Sequence, residues 1–191
     1  MDIEKVIAGS ISVKQKILED VGLHAQMWEA AEFCIETYRN NGKVLFCGNG
    51  GSAADAQHLA AELSGRFYYD RDPLFAEALH VNTSFLTAVA NDYSYHEVYA
   101  RMIKGSGRKG DVLFGISTSG NSANVVNALR QAKELGMKTV AFTGESGGEM
   151  NSLADLCIKV PSTDTPRIQE AHILIGHIIC EIIESELFPR G

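Results

Sequence analysis

A histidine and a glutamate four residues apart, His58 and Glu62, are the first residues whose types and spacing suggest chemistry. Within a helix, this spacing places an imidazole and a carboxylate on one face, one turn apart. The imidazole exchanges protons near neutral pH. Such a pair also occurs as ordinary decoration of helix surfaces, so the spacing alone leaves its role open.

The elements expected to position this pair are a strand and a glycine turn. The apolar run at residues 43–47 predicts a buried strand, and glycines at positions 48, 50 and 51 allow a sharp turn with exposed N–H groups. Ser52 is a good N-cap, and the alanines that follow favour a helix. A strand, a glycine turn and a helix N-terminus in succession can bind an anion. The motif matches neither the dinucleotide fingerprint nor the P-loop, and tight packing alone would also explain it.

A second strand, loop and helix repeat this arrangement at residues 112–135. The loop between them carries four hydroxyl residues within six positions: Ser117, Thr118, Ser119 and Ser122. Hydroxyls and free N–H groups at a helix N-terminus donate hydrogen bonds together, which favours phosphate binding over simple capping.

Further apolar runs at residues 76–81, 138–143 and 156–160 alternate with helical segments. This alternation predicts an α/β fold, a doubly wound parallel sheet flanked by helices with ligands at the carboxyl ends of the strands. Residues 2–41 show helical periodicity in two pieces, broken near residues 21–22. Such an N-terminal arm serves oligomerisation or packs on its own domain. Thr165 should cap a last helix over residues 166–186, whose apolar sequence is interrupted by Gln169, His172 and His177.

Composition narrows the class of protein. The chain has 191 residues, 45% of them hydrophobic, and a formal net charge of -7. This length favours one domain with a sizeable core, and the negative charge argues against non-specific nucleic-acid binding. No signal-peptide pattern and no membrane-spanning run is visible. The four cysteines are scattered singly, as expected of buried free thiols in a reducing cytoplasm.

Four separated motifs resemble the phosphoheptose isomerase family of the sugar isomerase (SIS) domain superfamily. They are GNGGSAADAQHLAAEL, the pair Asn91-Asp92, GISTSGNSANV and RIQEAHILIGH. The resemblance implies a single SIS domain over residues 1–191, a flavodoxin-like three-layer sandwich whose N-terminal helices, residues 1–41, contribute to oligomerisation. It also implies a cytoplasmic zinc enzyme, a homotetramer with active sites between subunits. That enzyme converts sedoheptulose 7-phosphate to D-glycero-D-manno-heptose 7-phosphate through an enediol, the first step toward lipopolysaccharide heptose.

The resemblance also implies the site residues. The family's base and acid fall on Glu62 and His177, and one zinc per subunit falls on His58, Glu62, Gln169 and His177. The substrate contacts fall on Asn49, Gly50, Gly51, Ser52, Glu62, Asn91, Asp92, Ser117, Thr118, Ser119, Ser122 and Gln169.

Two features of the sequence qualify this assignment. Gln169 and His177 are eight residues apart, about 12 Å along a helix, so one ion reaches both only from between them or with help from a neighbouring subunit. Pro166 stands where some family members carry an acidic residue.

Two alternative functions remain open. One is a non-catalytic SIS-domain protein that binds the replication initiator DnaA, suggested by residues 96–100 and 187–189. That relative lacks the matching Glu62 and His177. The other is an SIS isomerase of another phosphosugar, which the phosphate loop alone does not exclude.

Overall fold

The computed structural model describes residues 2–190. Five parallel strands form one sheet in the order β2-β1-β3-β4-β5. The strands are β1 (Val44–Gly48), β2 (Ala76–Ala78), β3 (Val112–Ile116), β4 (Lys138–Thr143) and β5 (Leu156–Lys159). Every residue of β1 and β3 is buried, because helices cover both faces of the sheet. The predicted doubly wound α/β sheet is therefore confirmed, and the strand order reverses between β1 and β3.

The helices divide between the two faces. In chain order they are α1 (Ile3–Glu19), α2 (Val21–Arg39), α3 (Gly51–Ser64), α4 (Thr83–Asp92), a 3₁₀ turn (Tyr95–Glu97), α5 (Val98–Ser106), α6 (Ala123–Glu134), α7 (Met150–Leu153) and α8 (Thr165–Leu187). Buried side chains of α1, α2, α3 and α8 form one apolar cluster with the sheet. Those of α4 to α7 form the other cluster. The fold is a three-layer sandwich, as predicted.

The structure corrects three local predictions. Gly50, with φ of 56°, is the N-cap of α3, and Ser52 is buried inside the first turn, so Ser52 is not the cap. Glycine suits this position because other residues rarely adopt a positive φ. Asp164 occupies the N-cap position of α8, one residue before the predicted Thr165. The break between α1 and α2 lies at Asp20, whose carboxylate accepts a hydrogen bond from the Leu23 N–H at 2.9 Å.

Helices α3 and α8 approach each other closely beside the sheet. A Cβ added at Gly176 on α8 would lie 2.5 Å from Cδ2 of Leu59 on α3, so the missing side chain permits the contact. Gln169 packs against Gly51 near the starts of both helices, so α8 runs alongside α3 in the same direction. This packing brings the residue after Gly176, His177, next to α3.

The cysteines agree with the expectation of free thiols. All four are free: Cys34, Cys47 and Cys180 are buried, and Cys157 is half-buried. Within residues 2–190, every helix falls short of the combined length and hydrophobicity that a membrane-spanning segment requires.

Candidate active site

His58, Glu62 and His177 form a cluster where α3 meets α8. Nε2 of His58 lies 3.0 Å from Oε1 of Glu62 and 3.3 Å from Nε2 of His177. Helix α3 supplies the first two side chains from consecutive turns, and the close approach at Gly176 supplies the third. The His58 and Glu62 side chains are 49% and 23% exposed, so the cluster is open to a molecule arriving from solvent.

The electrostatics of the cluster favour a neutral His177. Burial lowers the pKa of His177, the neighbouring His58 lowers it further, and Glu62 opposes both effects. A neutral imidazole has a free ring nitrogen that can accept a proton or bind a metal.

The donor atoms of this cluster fit a zinc ion. Two nitrogens that bind zinc tetrahedrally at about 2.0–2.1 Å are separated by about 3.3 Å, which matches the distance between the His58 and His177 Nε2 atoms. The three donor atoms of His58, Glu62 and His177 all lie within 4.8 Å of one another. Imidazole and carboxylate are also the ligand types that zinc binds in catalytic sites.

Gln169, the fourth predicted ligand, has a different position. A Cβ built on Gly51 would lie 2.5 Å from the Gln169 Nε2 atom, so the amide packs at the first residue of α3. His58 follows seven residues later, about 10 Å along the helix. The Gln169 amide therefore lies beside the glycine turn, at the start of α3.

Asp55 is a candidate that the sequence analysis missed. It precedes His58 by one turn of α3, and burial raises its pKa to about 6 while His58 lowers it. Its Oδ2 atom is buried without a hydrogen-bond partner among the described residues. The spacing of Asp55, His58 and Glu62 on one helical face could have indicated a third titratable group.

His172, the other histidine in the apolar sequence of α8, has a structural role. His172 is fully buried, its Nε2–H donates to the Thr143 carbonyl oxygen at 3.1 Å, and its ring lies against Phe142. Burial lowers its pKa to about 4, outweighing the hydrogen bond to Thr143, so it stays neutral.

Two amide side chains join the loop after β1 to the start of α6 by hydrogen bonds. Asn49 and Asn124 each donate a hydrogen bond to the other at 2.9 Å, and the Tyr95 hydroxyl donates to Asn49 Oδ1 at 3.0 Å. These contacts join the loop after β1 to the start of α6 across the point where the strand order reverses. Sequence reasoning missed Asn124 and Tyr95, because partners 75 and 46 residues away leave no local signal.

Asn91 and Asp92 lie in the last turn of α4. Both are exposed, and the Asn91 amide donates to Asp92 Oδ1 at 2.9 Å. The chain then leads directly into the turn that carries Tyr95. The pair therefore lies one short segment away from the Asn49 loop.

The hydroxyl loop lies at the carboxyl end of β3. Ser117 Oγ is 2.8 Å from Ser122 Oγ and 3.3 Å from Ser119 Oγ, so three of the predicted hydroxyls converge. Thr118 and Ser119 line a cavity of about 290 Å³ that extends to the start of α8 at Thr165 and Ile168. Gln169 follows Ile168 directly, which connects this cavity to the glycine turn.

Comparisons with known proteins show the family of the chain. The SIS domain family model matches residues 11–144 of the chain. Phosphoheptose isomerase 2 of Campylobacter jejuni is 54% identical over 184 residues, which cover 96% of this chain and 92% of its own length. The phosphoheptose isomerase of Mycobacterium tuberculosis is 54% identical over 188 residues, covering 98% of this chain and 96% of its own.

Solved structures are similar over the same extent. The structure of phosphoheptose isomerase GmhA from Neisseria gonorrhoeae has a TM-score of 0.90 and 45% identity, covering 96% of this chain and 97% of that one. The structure of a phosphoheptose isomerase from Francisella tularensis has a TM-score of 0.92 and 36% identity, with 96% of each chain covered. The chain belongs to the phosphoheptose isomerase family of SIS-domain proteins.

Proposed function

We propose that this chain is a phosphoheptose isomerase, a single-domain aldose–ketose isomerase that converts sedoheptulose 7-phosphate to D-glycero-D-manno-heptose 7-phosphate. The observation that carries the proposal is the cluster of His58, Glu62 and His177, in a chain 54% identical to phosphoheptose isomerases over nearly its whole length. The initiator-binding alternative draws no support from these comparisons. A scaffold for protein contacts would also have no need of such a cluster.

The reaction moves one proton between two carbons. Glu62 removes the proton from C1 of the ketose, which leaves an enediol, and returns a proton to C2 to form the aldose. A carboxylate suits this step because it accepts a carbon-bound proton and releases it on the same face. His177 serves the oxygens: its neutral imidazole takes the proton from the C1 hydroxyl and delivers it to the C2 oxygen, so the imidazole is neutral again at the end.

The cluster supports a zinc requirement, with His58, Glu62 and His177 as ligands. The resemblance implies Gln169 as a fourth ligand, but in this chain its amide packs at Gly51, so Gln169 would have to change position to bind the same ion. When bound, zinc polarises the carbonyl oxygen and stabilises negative charge on the enediol oxygens. With zinc bound, Glu62 would have two roles, one as a ligand and one as the base.

The hydroxyl loop supports the phosphate contact. Ser117, Thr118, Ser119 and Ser122 donate to the phosphate, in or beside the cavity between the loop and α8. Asn49, Gly50, Gly51, Ser52, Asn91, Asp92 and Gln169 complete the proposed substrate contacts. Binding energy gained at the phosphate positions C1 and C2 at Glu62, because the two ends of the substrate are held at once.

Incubation with sedoheptulose 7-phosphate tests the proposed function. We expect the purified protein to form the aldose, followed by reaction of the aldehyde or by NMR. Zinc removal by a chelator should lower the rate at least about 100-fold, since Lewis-acid polarisation contributes several kcal/mol, and added zinc should restore it. No conversion by the zinc-loaded protein would overturn the assignment, and faster turnover of another ketose phosphate would replace the substrate.

The exposed face of α1 supports the homotetramer. Ile3, Ile7, Ile11 and Leu18 are between 54% and 66% exposed, and their spacing places them on one helical stripe. A groove of about 460 Å³ between α1, α2 and α8 continues this apolar surface past Trp28 and Ile178. Exposed apolar patches of this kind mark interfaces between proteins. Copies of the chain that pair through α1 would bring α8, and so the active site, close to a subunit boundary.

Light scattering tests the tetramer. Replacing Ile7 and Ile11 together with glutamate should reduce the mass below that of four chains, because carboxylates would be buried without partners. Val81→Glu changes an apolar residue outside α1 that is 43% exposed and should leave the mass unchanged. A double variant with the wild-type mass would exclude α1 from the interface.

The proposal extends to the cell. Four free cysteines suit a reducing cytoplasm, and the heptose product would enter lipopolysaccharide synthesis. Cell fractionation, and the heptose content of lipopolysaccharide after gene deletion, test these two points.

A further inference from the structure

A buried ion pair joins the end of α3 to α8 beside the active-site cluster. Nε of Arg71 donates to Oε1 of Glu184 at 3.1 Å, and the two side chains are only 2% and 1% exposed. Burying two charges is costly unless their remaining hydrogen-bonding capacity is satisfied. The other hydrogen-bond partners of Arg71 and Glu184 therefore show which parts of the structure the ion pair holds in place.

Arg71 caps the helix that carries Glu62. Its Nη2 donates to the backbone carbonyl of Glu62 at 2.9 Å, and its Nη1 donates to the carbonyls of Leu63 at 2.8 Å and Gly65 at 3.0 Å. The last carbonyls of a helix lack intrahelical partners and carry the negative end of its dipole, which a guanidinium satisfies. Arg71 therefore fixes the backbone of the proposed base.

Glu184 holds the opposite side of the cluster. It follows His177 by seven residues, about two turns, and so lies on the same face of α8. Its carboxylate accepts from the N–H groups of Phe67 at 2.9 Å and Tyr68 at 2.7 Å. The Phe67 ring lies 5.6 Å from the His177 ring, centroid to centroid. Burial alone would raise the pKa of Glu184, but these N–H groups and Arg71 lower it overall, which keeps the carboxylate charged.

We propose that Arg71 and Glu184 are positioning residues for the isomerase, setting the separation between Glu62 on α3 and His177 on α8. The inference rests on the proposed function for its kinetic consequence, whereas the geometry it describes can be measured without turnover. A displacement of about 1 Å between groups that handle one proton lowers the rate by up to about 100-fold.

The chain contains a matched control for Glu184. Asp111 is also a buried carboxylate, 3% exposed, and it pairs with Lys43 Nζ at 2.6 Å. It likewise accepts from two backbone N–H groups, those of Lys43 at 3.0 Å and Arg108 at 2.8 Å. Asp111 lies just before β3, and among the described residues its side chain bonds to Lys43 and Arg108, not to α3 or α8. Asp111→Asn and Glu184→Gln therefore remove equivalent interactions, of which only those of Glu184 involve the helices that carry the cluster.

The experiment compares these two variants as full-length protein. Both should melt at lower temperature than the wild type. Glu184→Gln alone should lower kcat for sedoheptulose 7-phosphate at least about tenfold, with KM within about twofold, since neither partner touches the hydroxyl loop. It alone should also shift the ring-nitrogen NMR signals of His58 and His177.

Arg71→Lys gives a second comparison should Glu184→Gln fail to fold. It keeps a positive charge near Glu184 but loses the donors to Glu62 and Leu63, and it should show the same loss of kcat and the same NMR shifts. Kinetics and NMR signals in both variants that match Asp111→Asn would overturn the positioning role. If the wild-type protein does not turn over sedoheptulose 7-phosphate, the proposed function is overturned. The NMR comparison alone then decides whether Arg71 and Glu184 position the cluster.

Discussion

Glu62→Gln is expected to lower kcat for sedoheptulose 7-phosphate by about 1,000-fold, equivalent to about 4 kcal/mol of barrier. An amide cannot accept a proton from carbon, yet it has nearly the same size and keeps an oxygen that can bind metal. KM should therefore change little, because the contacts to the phosphate are elsewhere. Steady-state kinetics and solvent-deuterium incorporation into the sugar measure the two effects.

The control for this variant is Glu134→Gln, which neutralises an exposed carboxylate on α6, on the opposite face of the sheet. It should keep the wild-type kcat. Zinc content is measured in both proteins, so that a loss of metal is not mistaken for loss of the base. If Glu62→Gln retained more than a tenth of the wild-type kcat with zinc bound, another group would have to move the proton.

Local patterns in the sequence predicted much of the architecture. Apolar runs at residues 43–47 and 112–116 indicated buried strands because both faces of this sheet are covered, and the loops after them carried glycines and hydroxyls as ligand-binding edges do. Short elements were harder to predict from the sequence. The strand predicted over residues 76–81 spans only Ala76–Ala78, and helix α7, of four residues, was not predicted at all. Neither is long enough to show a period.

The site shows the same division between local and distant information. The spacing of His58 and Glu62 placed them together before any fold was known, since a helix alone sets their distance. His177 reaches them from 119 residues away, and only family resemblance suggested the association. The position of His177 depends on Gly176, whose missing side chain lets α8 pack against Leu59 of α3. Arg71 and Glu184, 113 residues apart, gave no signal, because an ion pair of this kind is defined by packing.

This packing also explains how one helix can carry a structural and a chemical histidine. His172 faces the sheet and is sealed by Phe142, so its ring is held neutral and its exchange with solvent is prevented. His177, five residues later, faces α3 and remains half-buried, within reach of His58. The two residues differ in environment and share their residue type, which allows each to serve as a control for the other.

His177→Gln is expected to lower kcat by about 100-fold or more while leaving the melting temperature close to that of the wild type. The side chain is only half-buried, so little packing is lost, whereas glutamine cannot exchange a proton with the substrate oxygens. His172→Gln should show the reverse pattern. Its amide can still donate to Thr143, but it loses the ring packing against Phe142 and buries an amide oxygen and a second N–H without partners, which should cost about 1–3 kcal/mol of folding free energy. Thermal unfolding and steady-state kinetics of both zinc-loaded variants measure the contrast. Equal losses of stability with intact kcat in the two would show that His177, like His172, serves only the fold.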